Sequence, residues 1–514
     1  MFSVGMAIPY FANLFTSSKI LHFLLSIPSS AFSYIVALIL SIFFLRLIFY
    51  VLIALKIWKK KEKITFEDLQ KISQATNQKI PFFSILIPAL NETDVIYNTI
   101  IRIANINYPR NYYQIMVVVD EKERLKAKPN QITTKDVVIQ SQEKLKQQLP
   151  DLNLTWVEVP YDFDGNLHGQ CLNQEVPSTK GRGLNYAFSF VDKQTDFCAF
   201  FDAEAGPNPD SFLAVAKSYL TNNQNTIFQL PVFQIRNFWS LSSFCKIAAL
   251  AQCFSHQYAL PFIFLFLPFV GGTNFFIKRD IFEKLGGFDN HILTEDAEIG
   301  IRGYLKYGYW PVFLPYPSTE QTPATRSGYH RQRYRWGYGF MQTLQKVIRE
   351  RGSATKKRYR RMLINLIIHG PFDWIIYYPL TLAATLLFIL RVFKSLFTFF
   401  ILYRLSILTV MPWNPLNDVL SLIIVFIPIP SLLFLSFLIK HYWPHINFYG
   451  IDKKQIKKQF SQFAVYILCF APLLMSFYIF PYMHAFIDFL RNPQKKERWV
   501  KTKRTKEKHI SIPA

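Results

Sequence analysis

The sequence predicts an α/β domain placed between membrane helices, and three observations predict it. Of its 514 residues 51% are hydrophobic and 50 are phenylalanine, gathered towards the two ends of the chain. That is more apolar than a soluble enzyme needs. Between about residues 80 and 350 the pattern changes to short β-rich apolar runs alternating with helical stretches, as in a sheet with helices on its faces. Two of those runs end in an aspartate, Asp120 and Asp202, and the carboxyl ends of strands are where open α/β sheets bind their ligands.

In chain order, the amino terminus lacks a basic n-region and a small-residue cleavage site, so a cleaved signal peptide is not expected. Residues 6–28, interrupted by Lys19 and His22, read as a first span or an interfacial helix. Residues 31–57 read as a retained membrane helix stopped by Lys56, Lys59, Lys60 and Lys61. A strand over 82–89 follows, with Asn91 as cap of a helix reaching about 106. Strands are expected at 115–119 and 154–159, a helix over 180–191, and a strand over 197–201 that ends at Asp202.

Residues 238–270 are long and apolar but hold Lys246, His256, Pro261 and Pro268. A span there would place the later polar clusters across the bilayer from Asp202, so an amphipathic segment on the membrane face is expected. Beyond Arg361, 371–390 and 419–438 read as spans, and 396–410, carrying Arg404, as a re-entrant or outer-surface segment. Residues 461–490, broken by Pro472 and Pro481, read as two short passes or a hairpin. The expected organisation is membrane helices over 1–58, the α/β domain over 80–320, interfacial helices over 321–361, a membrane bundle over 362–492 and a basic cytosolic tail over 493–514.

The net charge is +24, and its basic runs at 56–63, 356–361, 453–458 and 495–508 abut the apolar stretches. That is the juxtamembrane cytoplasmic pattern. With no zinc-finger spacing or RNA-binding aromatic motif, nucleic acid is excluded as a partner. The five cysteines have neither pairing spacing nor a CxxC, which suits a reducing compartment.

Four polar clusters carry the chemistry. Asp202-Ala203-Glu204 places two acids on one side of a strand end, where hard divalent cations find carboxylate oxygens; the alternative is a helix-entry cap with solvated acids. Thr294-Glu295-Asp296 follows two glycine-rich turns. Thr294 reads as the cap of a helix whose first turn holds both acids, or Asp296 reads as a general base for an acceptor hydroxyl. In Gln332-Arg333-Tyr334-Arg335-Trp336, Gln332, Arg335 and Trp336 share a helical face. An arginine there suits pyrophosphate and a tryptophan ring suits a pyranose, while Arg326, Arg331 and Arg333 read as headgroup contacts. Lys180-Gly181-Arg182-Gly183 offers a lysine and flexible backbone ahead of a helix, as phosphate contact or as an ordinary basic loop.

In this order, Ile85 through Asn91-Glu92, Val117-Val118-Val119-Asp120, Lys180 with Leu184-Asn185-Tyr186-Ala187, Asp202-Ala203-Glu204, Gly271-Gly272-Thr273-Asn274, Thr294-Glu295-Asp296 and Gln332 to Trp336 run along nearly the whole chain. So ordered, the chain resembles membrane-embedded inverting family 2 glycosyltransferases of the cellulose synthase, hyaluronan synthase and bacterial mannan synthase-like type. Arg491-Asn492-Pro493 and Trp499-Val500-Lys501-Thr502 also resemble the ending of bacterial relatives.

The resemblance implies a GT-A (Rossmann-like) domain in the cytosol of a multi-pass protein of the plasma (inner) membrane. It implies a UDP- or GDP-sugar donor and a divalent cation, Mn2+ or Mg2+. Asp120 would contact the nucleoside, with Glu92, Lys180, Asp202, Gln332 and Arg335 around the rest of the donor. Asp202 and Glu204 would hold the metal, although many relatives have aspartate where Glu204 stands. Asp296 would be the catalytic base, and Trp336, Glu295 and Thr294 would meet the acceptor. The implied product is a β-linked polysaccharide, exported through the chain's own helices. One alternative is a single sugar added to a lipid, as in ceramide glucosyltransferases. A transporter or scaffold with a decayed domain is a third class, against which the intact acids argue.

Overall fold

The computed structural model describes residues 29–350, 354–380, 382–383, 439–446, 479–493, 503–507 and 510. The long helix α1 (Ser29–Trp58) leads into α2 (Phe66–Thr76), which opens on a capping box between Thr65 and Asp68. The α/β domain then runs β1 (Phe83–Ala89), α3 (Ile96–Ala104), β2 (Tyr113–Asp120), α4 (Glu121–Lys126), α5 (Thr134–Gln148), β3 (Leu154–Val159), α6 (Lys180–Phe188), β4 (Phe197–Phe200) and α7 (Ser211–Thr221). After β5 (Ile227–Gln229) and β6 (Val232–Gln234) come α8 (Ser243–Phe254), α9 (Leu260–Ile263), β7 (Phe275–Lys278), α10 (Arg279–Leu285) and α11 (Glu295–Tyr307). The strands β8 (Val312–Phe313) and β9 (Ser318–Glu320) precede α12 (Arg326–Arg349) and α13 (Lys356–Ile367).

Seven strands form one mixed sheet in the order β3-β2-β1-β4-β7-β5-β8. All neighbours run parallel except β7, which is antiparallel to both β4 and β5. A strand buried on both faces must be apolar throughout, and β1 (FSILIPA) and β2 (YQIMVVVD) nearly are. Alternate residues face opposite cores. Phe83, Ile85, Ile87, Val117 and Phe276 lie in one, and Leu86, Met116, Val118, Phe200 and Phe275 in the other. β6 and β9 make a separate parallel pair, Val232 opposite Ser318 and Gln234 opposite Glu320.

Two local expectations change. Asn91 is not a cap: it adopts φ 54°, the left-handed region that asparagine tolerates, its N–H donates to Glu123 Oε2 at 2.7 Å, and α3 begins only at Ile96. The helix expected over 180–191 ends at Phe188. Within the apolar stretch 238–270, α8 runs on into α9 through a π-helical turn, Ser255–Ala259, with helical backbone at both junctions. The buried face of α8, with Cys245, Ala249 and Cys253, packs near Tyr329 of α12 and Tyr442.

Among the described residues no helix is long and apolar enough to cross a membrane. α1 runs for 30 residues, but its side chains are described without interruption only from Leu45 onward. The spans expected at 6–28 and 419–438, the segment 396–410, residues 381 and 384–390 of the span expected at 371–390, and most of 461–490 lie outside the described residues.

Candidate active site

The sheet delivers acids to one edge. Asp120 is the last residue of β2, Asp202 and Glu204 follow β4 directly, and Glu320 ends β9. They open into a cavity of about 420 Å³ that all of the expected site residues line: Glu92, Asp120, Lys180, Asp202, Glu204, Thr294, Glu295, Asp296, Gln332, Arg335 and Trp336. Chain regions far apart in sequence, from Glu92 to Trp336, therefore share one space.

Asp202, Glu204 and Glu320 offer carboxylate oxygens that all lie within 4.8 Å of one another. Glu320 was not expected: a lone glutamate on a three-residue strand carries no sequence signal, and it reaches the site only because β9 pairs with β6. Thr273 braces the group, its hydroxyl donating to Glu320 Oε1 at 2.6 Å and accepting from the Asp202 N–H at 3.2 Å. This is what the Gly271-Gly272-Thr273 turn contributes.

Burial pushes the Glu204 carboxyl well above its usual range, and the neighbouring Asp202, Glu320 and Glu92 add to this against the pull of Arg504. Burial, with Asp202 next, lifts Glu320 to about 7. Among the described residues, Glu204 Oε2 is buried without a hydrogen-bond partner. Crowded acids with an orphaned oxygen are a donor set for a hard divalent cation, which would relieve their repulsion on binding. The residues present fit such an ion.

Burial also acts to raise Asp202, yet Lys180, then Arg504, bring it below the ordinary aspartate value. Lys180, at the start of α6, donates to Asp202 Oδ1 and, at 2.7 Å, to the Gly272 carbonyl. The basic loop thus reaches the site through its lysine. Asp120 is fixed in place: its Oδ1 accepts from the Lys122 N–H at 3.0 Å, and its Oδ2 from Ser178 Oγ at 2.7 Å and from the buried Arg182 Nη1 at 3.1 Å.

Asp296 is the second residue of α11, its Oδ1 accepting from the Ala297 N–H at 2.8 Å. Burial raises its pKa, with Lys180 opposing. Burial, then repulsion from Asp296, lifts Glu295 to about 8. Thr294 stands at the cap position, but its side chain makes no capping bond, so the expected cap is absent. It packs instead against α12, where a side chain at Gly339 would overlap its hydroxyl.

α12 brings Gln332, Arg335 and Trp336 to the cavity on one face. Burial lowers the Arg335 pKa, with Glu295 and then Asp202 opposing this, so its positive charge faces both acid groups. Arg333 departs from its expected headgroup role. It is 1% exposed, lies 3.8 Å over the Trp336 ring, and donates to Gln234 Oε1 at 3.2 Å. The four-residue step from the buried Tyr329 puts it on the same helical face, turned into the domain.

A last lining residue, Arg504, lies in the stretch expected to be a basic tail. Residues 503–507 pack against the domain instead, where Glu507 pairs with Arg102 at 2.5 Å.

Residues 199–439 match the family described as Glycosyl transferase family group 2. That segment, a little under half of the chain, carries the family 2 glycosyltransferase match. The domain that holds this segment is α/β, built on a mixed sheet. Among curated proteins the chain is 26% identical over 338 residues to the "Probable glycosyltransferase YdaM" of Bacillus subtilis, covering 65% of this chain and 72% of that one. It is 21% identical over 380 residues to "Glucomannan 4-beta-mannosyltransferase 7" of Arabidopsis thaliana, covering 70% and 63%. It is 24% identical over 269 residues to the "Beta-monoglucosyldiacylglycerol synthase" of Trichormus variabilis, covering 51% and 49%. Among solved structures it is similar to "Mannosyltransferase PcManGT from Pyrobaculum calidifontis in complex with GDP-Man and Mn2+", at 15% identity and a TM-score of 0.46, covering 89% of this chain and 99% of that one.

Proposed function

We propose that this glycosyltransferase adds hexosyl units from a UDP- or GDP-sugar to a growing β-linked polysaccharide, with inversion at the anomeric carbon. The observation that carries this is the meeting of the Asp202–Glu204–Glu320 acids, Asp296 and the Gln332–Arg335–Trp336 face in one cavity.

Asp296, with a raised proton affinity and a place on the cavity wall, takes the proton of an acceptor hydroxyl. The hydroxyl oxygen forms its bond to C1 of the donor sugar as the bond from C1 to the phosphate oxygen breaks, and the diphosphate keeps the electron pair. Attack opposite the leaving group turns an α-linked donor into a β-linkage. Lys180 and Arg335 place positive charge where the phosphates would lie. Asp202, Glu204 and Glu320 would hold a divalent cation, which when bound neutralises charge on the departing diphosphate. Asp120 would hold the nucleoside side of the donor. Trp336, braced by Arg333, offers its ring to an acceptor pyranose, with Thr294 and Glu295 beside it.

The reading includes a multi-pass protein of the plasma (inner) membrane with this domain on the cytosolic side. Support comes from the apolar face that α1 exposes through Leu38, Ile42, Leu45, Phe49 and Leu52, and from exposed Ile364 in α13 and Ile368, Phe372 and Ile376 after it. A second reading, transfer of one sugar to a lipid, has the similarity to a β-monoglucosyldiacylglycerol synthase in its favour. The polymer is preferred because the cavity's far wall carries Trp374 stacked at 5.0 Å on Tyr482, with Phe340 edge-on, rings that suit sugar faces.

Membranes containing the chain, incubated with labelled UDP- and GDP-sugars and Mn2+, should convert one donor into a large product that a β-specific hydrolase digests. A one-sugar lipid as the only product would replace the polymer reading. No transfer from any donor would overturn both.

A further inference from the structure

Arg504 stands where a cation belongs. Its Nη1 lies 2.6 Å from Glu204 Oε1 and its Nε lies 3.5 Å from Glu92 Oε1. The side chain is 15% exposed, so the contact is made inside the cavity rather than across its mouth. The segment that delivers it is moored on both faces. The Thr505 N–H donates to Gln321 Oε1 at 2.8 Å, and Thr505 Oγ1 accepts from Asn237 Nδ2 at 3.1 Å. Glu507 accepts from Arg102 at 2.5 Å and from Gln321 Nε2 at 3.0 Å.

A buried carboxylate needs a compensating charge, and a guanidinium meets that need without any ion. A divalent cation needs oxygens of the same carboxylate at about 2.1 Å for the smaller ions, and the orphaned Glu204 Oε2 is the one left open to it while Arg504 holds Oε1. A guanidinium and a divalent ion on the two oxygens of one carboxylate stand within a few ångströms and repel strongly in a low-dielectric cavity, so Arg504 and the metal compete for Glu204.

We propose that the 503–507 strap is a built-in competitor for the cation site: Arg504 holds Glu204 in the metal-free protein and is exchanged for the divalent ion when that ion binds. The moorings at Thr505 and Glu507 keep the released arginine near the cavity, so the exchange is reversible. The strap thereby sets the cation concentration at which the enzyme loads. This inference rests on reading Asp202, Glu204 and Glu320 as the cation site.

The test measures Mn2+ binding to the purified full chain in detergent without nucleotide, by loss of the free-ion electron paramagnetic resonance signal. Arg504→Gln should bind Mn2+ at least tenfold more tightly than wild type, with Arg504→Lys between them. Equal affinity of wild type and Arg504→Gln overturns the proposal. Glu204→Gln should bind more weakly; no change there overturns the cation-site reading itself, which separates the two failures. In wild type alone, trypsin cleavage after Arg504, read by mass spectrometry, should accelerate with Mn2+ at the same midpoint as binding. Cleavage indifferent to Mn2+ overturns the strap exchange even if the Arg504→Gln variant does not fold.

Discussion

Gly272, at φ +63°, lies so close to Asp296 that a Cβ on it would overlap the Asp296 carboxylate. The backbone conformation and the contact both demand glycine. The turn therefore sets the position of the acid that the mechanism makes the base. Gly272→Ala should lower transfer by about 100-fold, the order lost when a reacting group is displaced by about 1 Å. Mn2+ binding should fall far less than transfer, because the overlap is with Asp296, while Asp202 and Glu320 feel the turn only through Thr273.

Glu295 titrates against the fold. Its ordinary value of 4.5 is raised to about 8, so the folded protein binds a proton that the unfolded chain has lost. Stability conferred by this group is present below about 4.5 and falls as pH rises to about 8. Glu295→Gln should flatten the melting temperature of the cation-free protein across that window. An unchanged slope would remove Glu295 as the source.

Glu507 has the opposite sign. Arg236 and Arg102 outweigh its burial and hold it at about 2 against an ordinary 4.5. Its contribution is intact above about 4.5 and is lost as pH falls to about 2. Glu507→Gln should weaken the strap at neutral pH by about 3 kcal/mol, the order seen when one partner of a buried pair is removed. Faster proteolysis within 503–507 would report it.

Arg333 lies 3.8 Å over the ring of Trp336, the side chain proposed to meet the acceptor. Arg333→Met removes the stacking charge, worth about 1 kcal/mol. The KM for acceptor should rise several-fold while the KM for donor stays close to wild type. Equal rises in both would mean that Arg333 supports the whole helix rather than the ring.

Much of the domain was legible because its signals are local. The apolar runs ending at Asp120 and Asp202 state both strand and edge, and 154–159 coincides with β3 residue for residue. The Gln332–Trp336 face follows from helical spacing alone. Asn91 misled because an asparagine after a strand serves equally as a cap or in a left-handed turn. Arg333 misled because charge near a membrane-like stretch does not say which face of α12 is buried. Glu320 and Arg504 had no local signal. One depends on a strand pair formed across more than eighty residues, the other on a segment whose partners Asn237 and Gln321 lie over 180 positions away.

The most direct measurement compares donor turnover by wild type and Asp296→Asn in the same membranes, with Mn2+ binding followed in parallel. The account predicts that the variant binds Mn2+ like wild type and loses about 100-fold or more in transfer, the scale of a missing general base. Turnover by Asp296→Asn within a few-fold of wild type would contradict it.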